Sequence, residues 1–244
     1  MLKIVYSPND PAAKGVAERL MKEGIEVYPL SRDAPFSDFS EVEGDDFIVL
    51  SRHSSEKRVK AFTVHFTGNF SDEAKLGGQP RTLSIALPKI GCKLLNALSK
   101  YNYREDYEVV YEATHHGPTI NKGIVFIEIG SSLEDWTDPR NHDILAKAVL
   151  NYEEMEDLPS AIWIGGPHYN KRAAKRCFEG INSIGHIAPK YVIGSINEDL
   201  LVQMVEKSRD PIERAYVEKK SVKAEQRKKI VETLKSMGLS VEVV

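Results

Sequence analysis

Apolar positions along this chain fall in short, nearly unbroken runs, and the segments between them carry helical spacing. LKIVY (2–6), IEVYPL (25–30), DFIVLS (46–51), FTVHF (62–66), YEVVYEAT (107–114), GIVFIEIG (123–130), AIWIGG (161–166) and YVIGSI (191–196) read as strands. Runs apolar at almost every position are the mark of strands covered on both faces. Asp10-Pro11 supplies an N-cap followed by Pro at the first helical position; Ala13, Val16, Ala17 and Leu20 then form one stripe, and Gly24 closes the helix. Residues 89–100, 138–151 and 171–179 are further helices. A second Asp-Pro pair, Asp210-Pro211, predicts the start of a charged helical region reaching to about Gly238, with LSVEVV (239–244) as a last strand. The alternation predicts an α/β fold: one domain over 1–244, a mostly parallel or mixed central sheet flanked by helices, and a more helical C-terminal region at about 197–238. The segment TGNFSDEAKLGGQPRT (67–82) is long for a plain connection, and such loops are lids, binding loops or disordered.

Composition adds limits rather than a function. With 41% hydrophobic and 28% charged residues the chain reads as soluble and globular. The net charge of -3 gives no reason to expect a polyanion partner, so any nucleic-acid contact needs a local basic patch. Abundant charge and scarce Gln lean towards a thermophilic source. Cys92 and Cys177 show neither disulfide-framework nor zinc-motif spacing and fit a reducing compartment. No signal peptide and no membrane span are read from the sequence, so a cytoplasmic location is expected.

The chemistry gathers at strand ends. His53 follows DFIVLS, His65 lies near the end of FTVHF, His115 and His116 follow YEVVYEAT, and His168 follows AIWIGG. If these strands run parallel, the imidazoles share one edge, where open α/β sheets bind ligands. A lone strand-end histidine is more often a loop residue with a local hydrogen bond; the group makes convergence the better reading. Adjacent strand residues point to opposite faces, so His115 and His116 need the turn at Gly117-Pro118 to reach a common point. Glu112 and Glu128 lie late in apolar strands, where a carboxylate needs a partner: each either fixes a histidine or serves as a base, or faces water. In GGPHYNKRAAKRCFEG (165–180), Gly165 and Gly166 permit a tight exit and a close ligand approach, and Asn170 caps a helix. Lys171, Arg172, Lys175 and Arg176 share one face of that helix, which is a phosphate site or a solvated face. SRHSSEKR (51–58) and GSSLEDW (130–136) offer substrate contacts or helix caps. The chain has no G-x-S-x-G elbow, P-loop or dinucleotide fingerprint, which disfavours serine hydrolase, NTPase and nicotinamide chemistry.

Taken together, SPNDPAA, SRHSS, VHFTGNF, THHGPT, EIGSSLEDW and GGPHYN, in this order, resemble the D-aminoacyl-tRNA deacylase family of archaea and plants, over residues 1 to about 195. The resemblance implies hydrolysis of the ester between a D-amino acid and tRNA, tolerant of the side chain and extending to mischarged glycyl-tRNA. It also implies a fold similar to the phosphorylase and peptidyl-tRNA hydrolase type, zinc as cofactor and tRNA as partner. The residues themselves are compatible with it: His115, His116 and His168 are expected to form the core of the site, as metal ligands or general base, with Glu112 or Glu128 orienting a histidine or taking the water proton. His53, His65, Gly165, Gly166 and the four cations of 171–176 contact substrate. No membrane or DNA partner is expected, and the state is monomer or small homo-oligomer. The competing readings are a metal-assisted hydrolase or phosphorylase of a small nucleoside-like substrate, and a non-catalytic tRNA-binding module.

Overall fold

The computed structural model describes residues 1–55 and 58–244; positions 56 and 57 of the SRHSSEKR stretch lie outside the described residues. The chain runs β1 (Leu2–Tyr6), α1 (Pro11–Lys22), β2 (Val27–Pro29), β3 (Asp46–Ser54), β4 (Ala61–His65), then three two-residue strands, β5 (Gly68–Asn69), β6 (Thr82–Leu83) and β7 (Ile85–Ala86). It continues through α2 (Pro88–Tyr101), β8 (Glu108–Glu112), β9 (Gly123–Ser131), α3 (Leu133–Thr137), α4 (Pro139–Asn151), β10 (Ser160–Ile164), β11 (Tyr169–Asn170) and α5 (Lys171–Phe178). The last elements are β12 (Ser183–Ala188), α6 (Glu198–Glu206), β13 (Ile212–Val217), α7 (Ala224–Ser236) and β14 (Ser240–Val243). The main sheet has the order β11-β8-β4-β9-β3-β1-β2, with β7 beside β9; a second sheet has the order β12-β10-β13-β14. This is an α/β architecture with a mixed central sheet flanked by helices.

Local rules account for most elements. Asp10 accepts the amides of Ala12 and Ala13 (3.0 and 3.1 Å) and opens α1, whose Ala12, Ala13, Val16, Ala17 and Leu20 are buried. Its other oxygen accepts the Arg52 amide at 2.8 Å and so fixes α1 against β3. Gly15 sits where α1 meets α4: a Cβ there would stand 2.2 Å from His142 Cε1. The helix of His142 is therefore close-packed, and its imidazole is spent on the Trp136 carbonyl (2.7 Å). One face of the main sheet carries Leu50, Phe62, Val64, Tyr111, Ile127 and Ile129 into the core under α1, α2 and α4. α2 packs against both sheets.

Three readings of the sequence are corrected. YVIGSI (191–196) is not a strand: Lys190–Ser195 forms a 3-10 turn, and the strand is β12, one segment earlier. Its residues are buried at every position, whereas Tyr191 is exposed. Asp210-Pro211 does not start a helix; β13 follows, with Ala215, Tyr216 and Val217 buried. Asp210 does cap a helix, but a distant one, accepting the Lys89 amide of α2 at 3.1 Å. Charge at Glu213 and Arg214 hides this strand from a periodicity reading. Finally, Cys92 on α2 and Cys177 on α5 form a disulfide across 85 residues of sequence, with Cα atoms 5.8 Å apart. No spacing rule reveals a pair that only the packing of two helices brings together. Intracellular disulfides do occur in hyperthermophiles. Closing so long a loop constrains the unfolded chain, so reduction is expected to cost about 2–5 kcal/mol. Thermal unfolding with and without reductant checks this; an unchanged melting temperature refutes it.

Candidate active site

Register puts the polar residues on one face of the main sheet. Glu128 pairs with Thr63 on one side and Ser51 on the other, and His53 lies two residues along from Ser51. Thr63 also pairs with Val110, so His65 and Glu112, each two residues further on, share that face. The strands do not all run the same way: β4 is antiparallel to β9, and β8 follows β4. The histidines therefore converge on the middle of a face and not, as parallel strands would have it, on a common carboxyl edge. Nor are the strands of Glu112 and Glu128 neighbours; β4 lies between them. In a flat sheet β8 and β3, three steps apart, would be separated by about 14 Å. His53 Nδ1 nonetheless stands 3.1 Å from Glu112 Oε1 and 3.5 Å from Glu128 Oε2. The sheet must curl towards this face, making a trough with the carboxylates at its floor.

Both carboxylates are buried, as are His53 and His65. His65 Nε2 faces Glu128 Oε1 at 3.5 Å. Glu112 Oε2 takes His168 Nε2 at 2.9 Å and lies 3.7 Å from His115 Nε2. His53 Nε2 contacts the Tyr169 hydroxyl on β11, a partner the sequence reading missed because Tyr169 lies in a two-residue strand. Burial opposes charge on His53, but Glu112 and Glu128 outweigh it and raise its pKa to about 11. His65 is likewise raised against its burial, by Glu128. Burial in turn opposes ionisation of the carboxylates, yet His168 and His53 hold Glu112 well below the usual range, and His65 and His53 hold Glu128 at about 2. The floor is thus two carboxylates paired with two imidazolium groups.

His115 and His116 are different. Burial lowers both, helped for His115 by the field of His116 and His65, and for His116 by that of His65; His116 comes to about 4. Both are neutral at pH 7, and their tautomers are set by the backbone. His115 Nδ1 donates to the Ala113 carbonyl (2.8 Å) and His116 Nδ1 to the Gly117 carbonyl (2.5 Å). Each Nε2 therefore carries a lone pair. The turn that brings adjacent imidazoles together begins at His116 itself, with φ +42°, one residue before the Gly-Pro pair. That left-handed backbone puts the two ring centroids 4.3 Å apart. The segment 67–82 holds this turn in place: Gly68 donates to the His116 carbonyl (2.8 Å), and Gly117 donates to the Leu76 carbonyl (3.0 Å).

His186, whose segment the sequence left unread, anchors the same turn from below. Its Nε2 donates to the carbonyls of Ser84 (3.0 Å) and Lys207 (3.1 Å), and Nδ1 accepts from Thr114 (3.2 Å). Burial holds it neutral, at about 4.

Among the described residues, three groups of side chains have donor atoms close enough to hold a cation: His65 with His115 and His116; Glu112 with His115 and His168; and His53 with Glu112 and Glu128. His115 belongs to the first two, and Glu112 to the last two. His65 Nε2 and Glu112 Oε1 are buried atoms without a hydrogen bond of normal geometry. Such atoms, beside free imidazole lone pairs, are what a metal would satisfy.

Other sequence candidates stand apart from the floor. Gly165 and Gly166 have φ +109° and +85°, and a Cβ on Gly165 would come within 2.7 Å of Glu218 Cβ, so a side chain of the protein already fills that space. The four cations of α5 are each matched to a carboxylate: Lys171 to Glu108 (2.7 Å), Arg172 to Glu218 (3.6 Å), Lys175 to Glu179 (3.5 Å) and Arg176 to Glu242 (3.1 Å). Ser132 forms a capping box with Asp135 at the start of α3. Arg52 lies over the Trp136 ring at 5.5 Å.

Comparison with known proteins gives one answer. The family model described as D-aminoacyl-tRNA deacylase matches residues 40–242. A D-aminoacyl-tRNA deacylase of Ignicoccus hospitalis is 60% identical over 99% of this chain and 98% of its own length. One from Staphylothermus marinus is 41% identical, again over 99% and 98%. A crystal structure described as a conserved protein of unknown function superposes with a TM-score of 0.91 at 26% identity, covering 100% of this chain and 95% of that one.

Proposed function

The chain belongs to the D-aminoacyl-tRNA deacylase family, and from that premise we propose that the His–Glu trough hydrolyses the ester joining a D-amino acid to the terminal adenosine of tRNA. The observation that carries the assignment of chemistry to this place is the pair of neutral imidazoles, His115 and His116, fixed beside two buried carboxylates. Ester hydrolysis needs a nucleophilic water, a proton acceptor and support for the oxyanion.

Glu112 is the residue placed to accept a proton: its Oε2 lies 3.7 Å from His115 Nε2 and accepts from His168 Nε2 at 2.9 Å. His168, 29% exposed at its side chain, links Glu112 to the rim of the site. His53, charged and ion-paired with both carboxylates at 3.1 and 3.5 Å, keeps Glu112 ionised. A divalent cation, with zinc the natural match to imidazole and carboxylate donors, fits at His65, His115 and His116 or at Glu112, His115 and His168. The first set requires His65 to give up the proton that Glu128 favours. When bound, such a cation supplies a water of lowered pKa and a partner for the oxyanion. Chiral choice then falls to the walls of the trough, where an L side chain would collide.

The cations of α5, which begins directly after Tyr169 and Asn170, would meet acceptor-stem phosphates, in competition with Glu108, Glu218, Glu179 and Glu242. No helix is long and apolar enough to cross a membrane among the described residues. The test is deacylation of D-tyrosyl-tRNA against L-tyrosyl-tRNA, with the D ester expected to be cleaved about 100-fold faster or more. Equal rates, or no cleavage of either, refute the reading. Chelation followed by zinc readdition should remove and restore activity; full activity after complete metal depletion refutes the metal part alone.

A further inference from the structure

Tyr191 lies in the 3-10 turn that follows the carboxyl end of β12, and it is 65% exposed. A tyrosine with that much free surface usually lies far from chemistry. This one hydrogen-bonds the cluster: its hydroxyl meets His168 Nδ1 at 3.0 Å, and His168 Nε2 meets Glu112 at 2.9 Å. The two rings lie at 24° with centroids 6.3 Å apart, so the phenol is held roughly parallel to the imidazole and displaced from it. Phe36, Tyr103 and Phe178 are also strongly exposed. Among the described residues Tyr191 alone joins such exposure to a contact with the trough. The turn is braced as well, since the Lys190 amide donates to the Gly166 carbonyl at 2.8 Å. The result is a flat aromatic face, tethered at its polar tip, at the mouth of the site.

We propose that Tyr191 is the stacking platform for the terminal adenine of the tRNA acceptor end. Stacking on an aromatic face needs no hydrogen-bond readout, which suits an enzyme that must accept every tRNA through one shared terminal base. The hydroxyl–His168 bond fixes the ring, so little freedom is lost when a base settles on it. The distance from the ring to the Glu112–His168 pair is one side chain. A base stacked there places its own ribose ester over the trough.

The inference rests on the deacylase reading, and its test is chosen to separate the two. Tyr191→Ala is expected to raise KM for D-aminoacyl-tRNA about 5- to 100-fold, the range spanned by base–aromatic stacking. Tyr191→Phe keeps the ring and should keep KM within about twofold of wild type, whatever the lost hydroxyl does to kcat through His168. If the residue only orients His168, the two variants will share one defect, in kcat, and the proposal falls. A binding measurement that needs no turnover completes the test. Uncharged tRNA and the same tRNA lacking its terminal adenosine are compared on wild type and Tyr191→Ala. Wild type should prefer intact tRNA about 5- to 100-fold, and the variant should lose that preference. An equal preference in both overturns the stacking role even if the deacylation assay succeeds; failure of that assay with a lost preference would instead count against the reaction assigned to the trough.

Discussion

Glu112→Gln is expected to lower kcat for D-aminoacyl-tRNA by about 10²–10⁴-fold, the usual contribution of a positioned acid–base group, with little change in KM. Glutamine is nearly isosteric, so the trough keeps its shape. What disappears is the charge to which three imidazoles are referred. His53 loses one of the two carboxylates that hold it charged. His168 loses the acceptor at 2.9 Å, and His115 the carboxylate that faces its free lone pair. Glu108→Gln is the control: four residues earlier on the same strand, exposed and paired with Lys171, it should leave kcat unchanged. Single-turnover deacylation of a D-aminoacyl-tRNA reads both variants. A kcat for Glu112→Gln within threefold of wild type would remove Glu112 from the proton path.

The second large effect is on stability. Glu128→Gln leaves His65 charged in a site with no exposed surface, or forces it to give up its proton. Breaking a buried pair from one side costs about 3–5 kcal/mol. Because Glu112 still serves His53 and His65 can deprotonate, the lower end, about 3 kcal/mol, is the expected loss near pH 6. The pH dependence gives the sign. Glu128, held at about 2 in the fold, adds stability that is present above the ordinary carboxylate pKa and lost as pH falls towards 2. His53, raised to about 11, adds stability that is complete below its ordinary pKa near 6.5 and lost as pH rises through 11. His115, His116 and His186, held neutral by burial, add stability that is present above their ordinary pKa near 6.5 and lost as pH falls below it. Wild type should therefore have a stability maximum at roughly pH 6 to 7, and Glu128→Gln should remove chiefly the further fall below about pH 4.5. Urea unfolding of chelator-treated protein across pH measures both. Parallel curves for the two proteins would show that the pair does not set the pH response.

Much of this arrangement could be read before the fold was known. The caps and stripes of α1, the apolar runs of β3, β4 and β9, and the helix after Asn170 all follow from neighbours within one or two turns of chain. His53, His65, His115, His116, His168, Glu112 and Glu128 were all named from strand-end positions, and the structure brings all seven together. The reason for their convergence was not legible. Strand direction and sheet curl depend on pairings between segments tens of residues apart, and they turned an expected edge into a trough. Asp210 shows the same limit at small scale: the Asp-Pro signal for a cap was sound, but the helix it caps is more than a hundred residues away. Tyr169, Tyr191 and His186 escaped because a tyrosine in a two-residue strand or a short 3-10 turn, or a histidine in a buried strand, carries no pattern of its own.

The Cys92–Cys177 link has a topological side. The segment it closes holds Glu112, His115, His116, Glu128 and His168, while His53 and His65 lie outside it. The trough is thus assembled partly from a covalent ring and partly from the tail that threads up to it. A backbone cut anywhere between the two cysteines would open the ring without releasing a fragment, so the oxidised protein stays a single molecule after one nick. In a reducing environment a cut between Glu112 and His168 would divide those five residues between two pieces, and one between Cys92 and Glu112 would separate them all from the first two histidines.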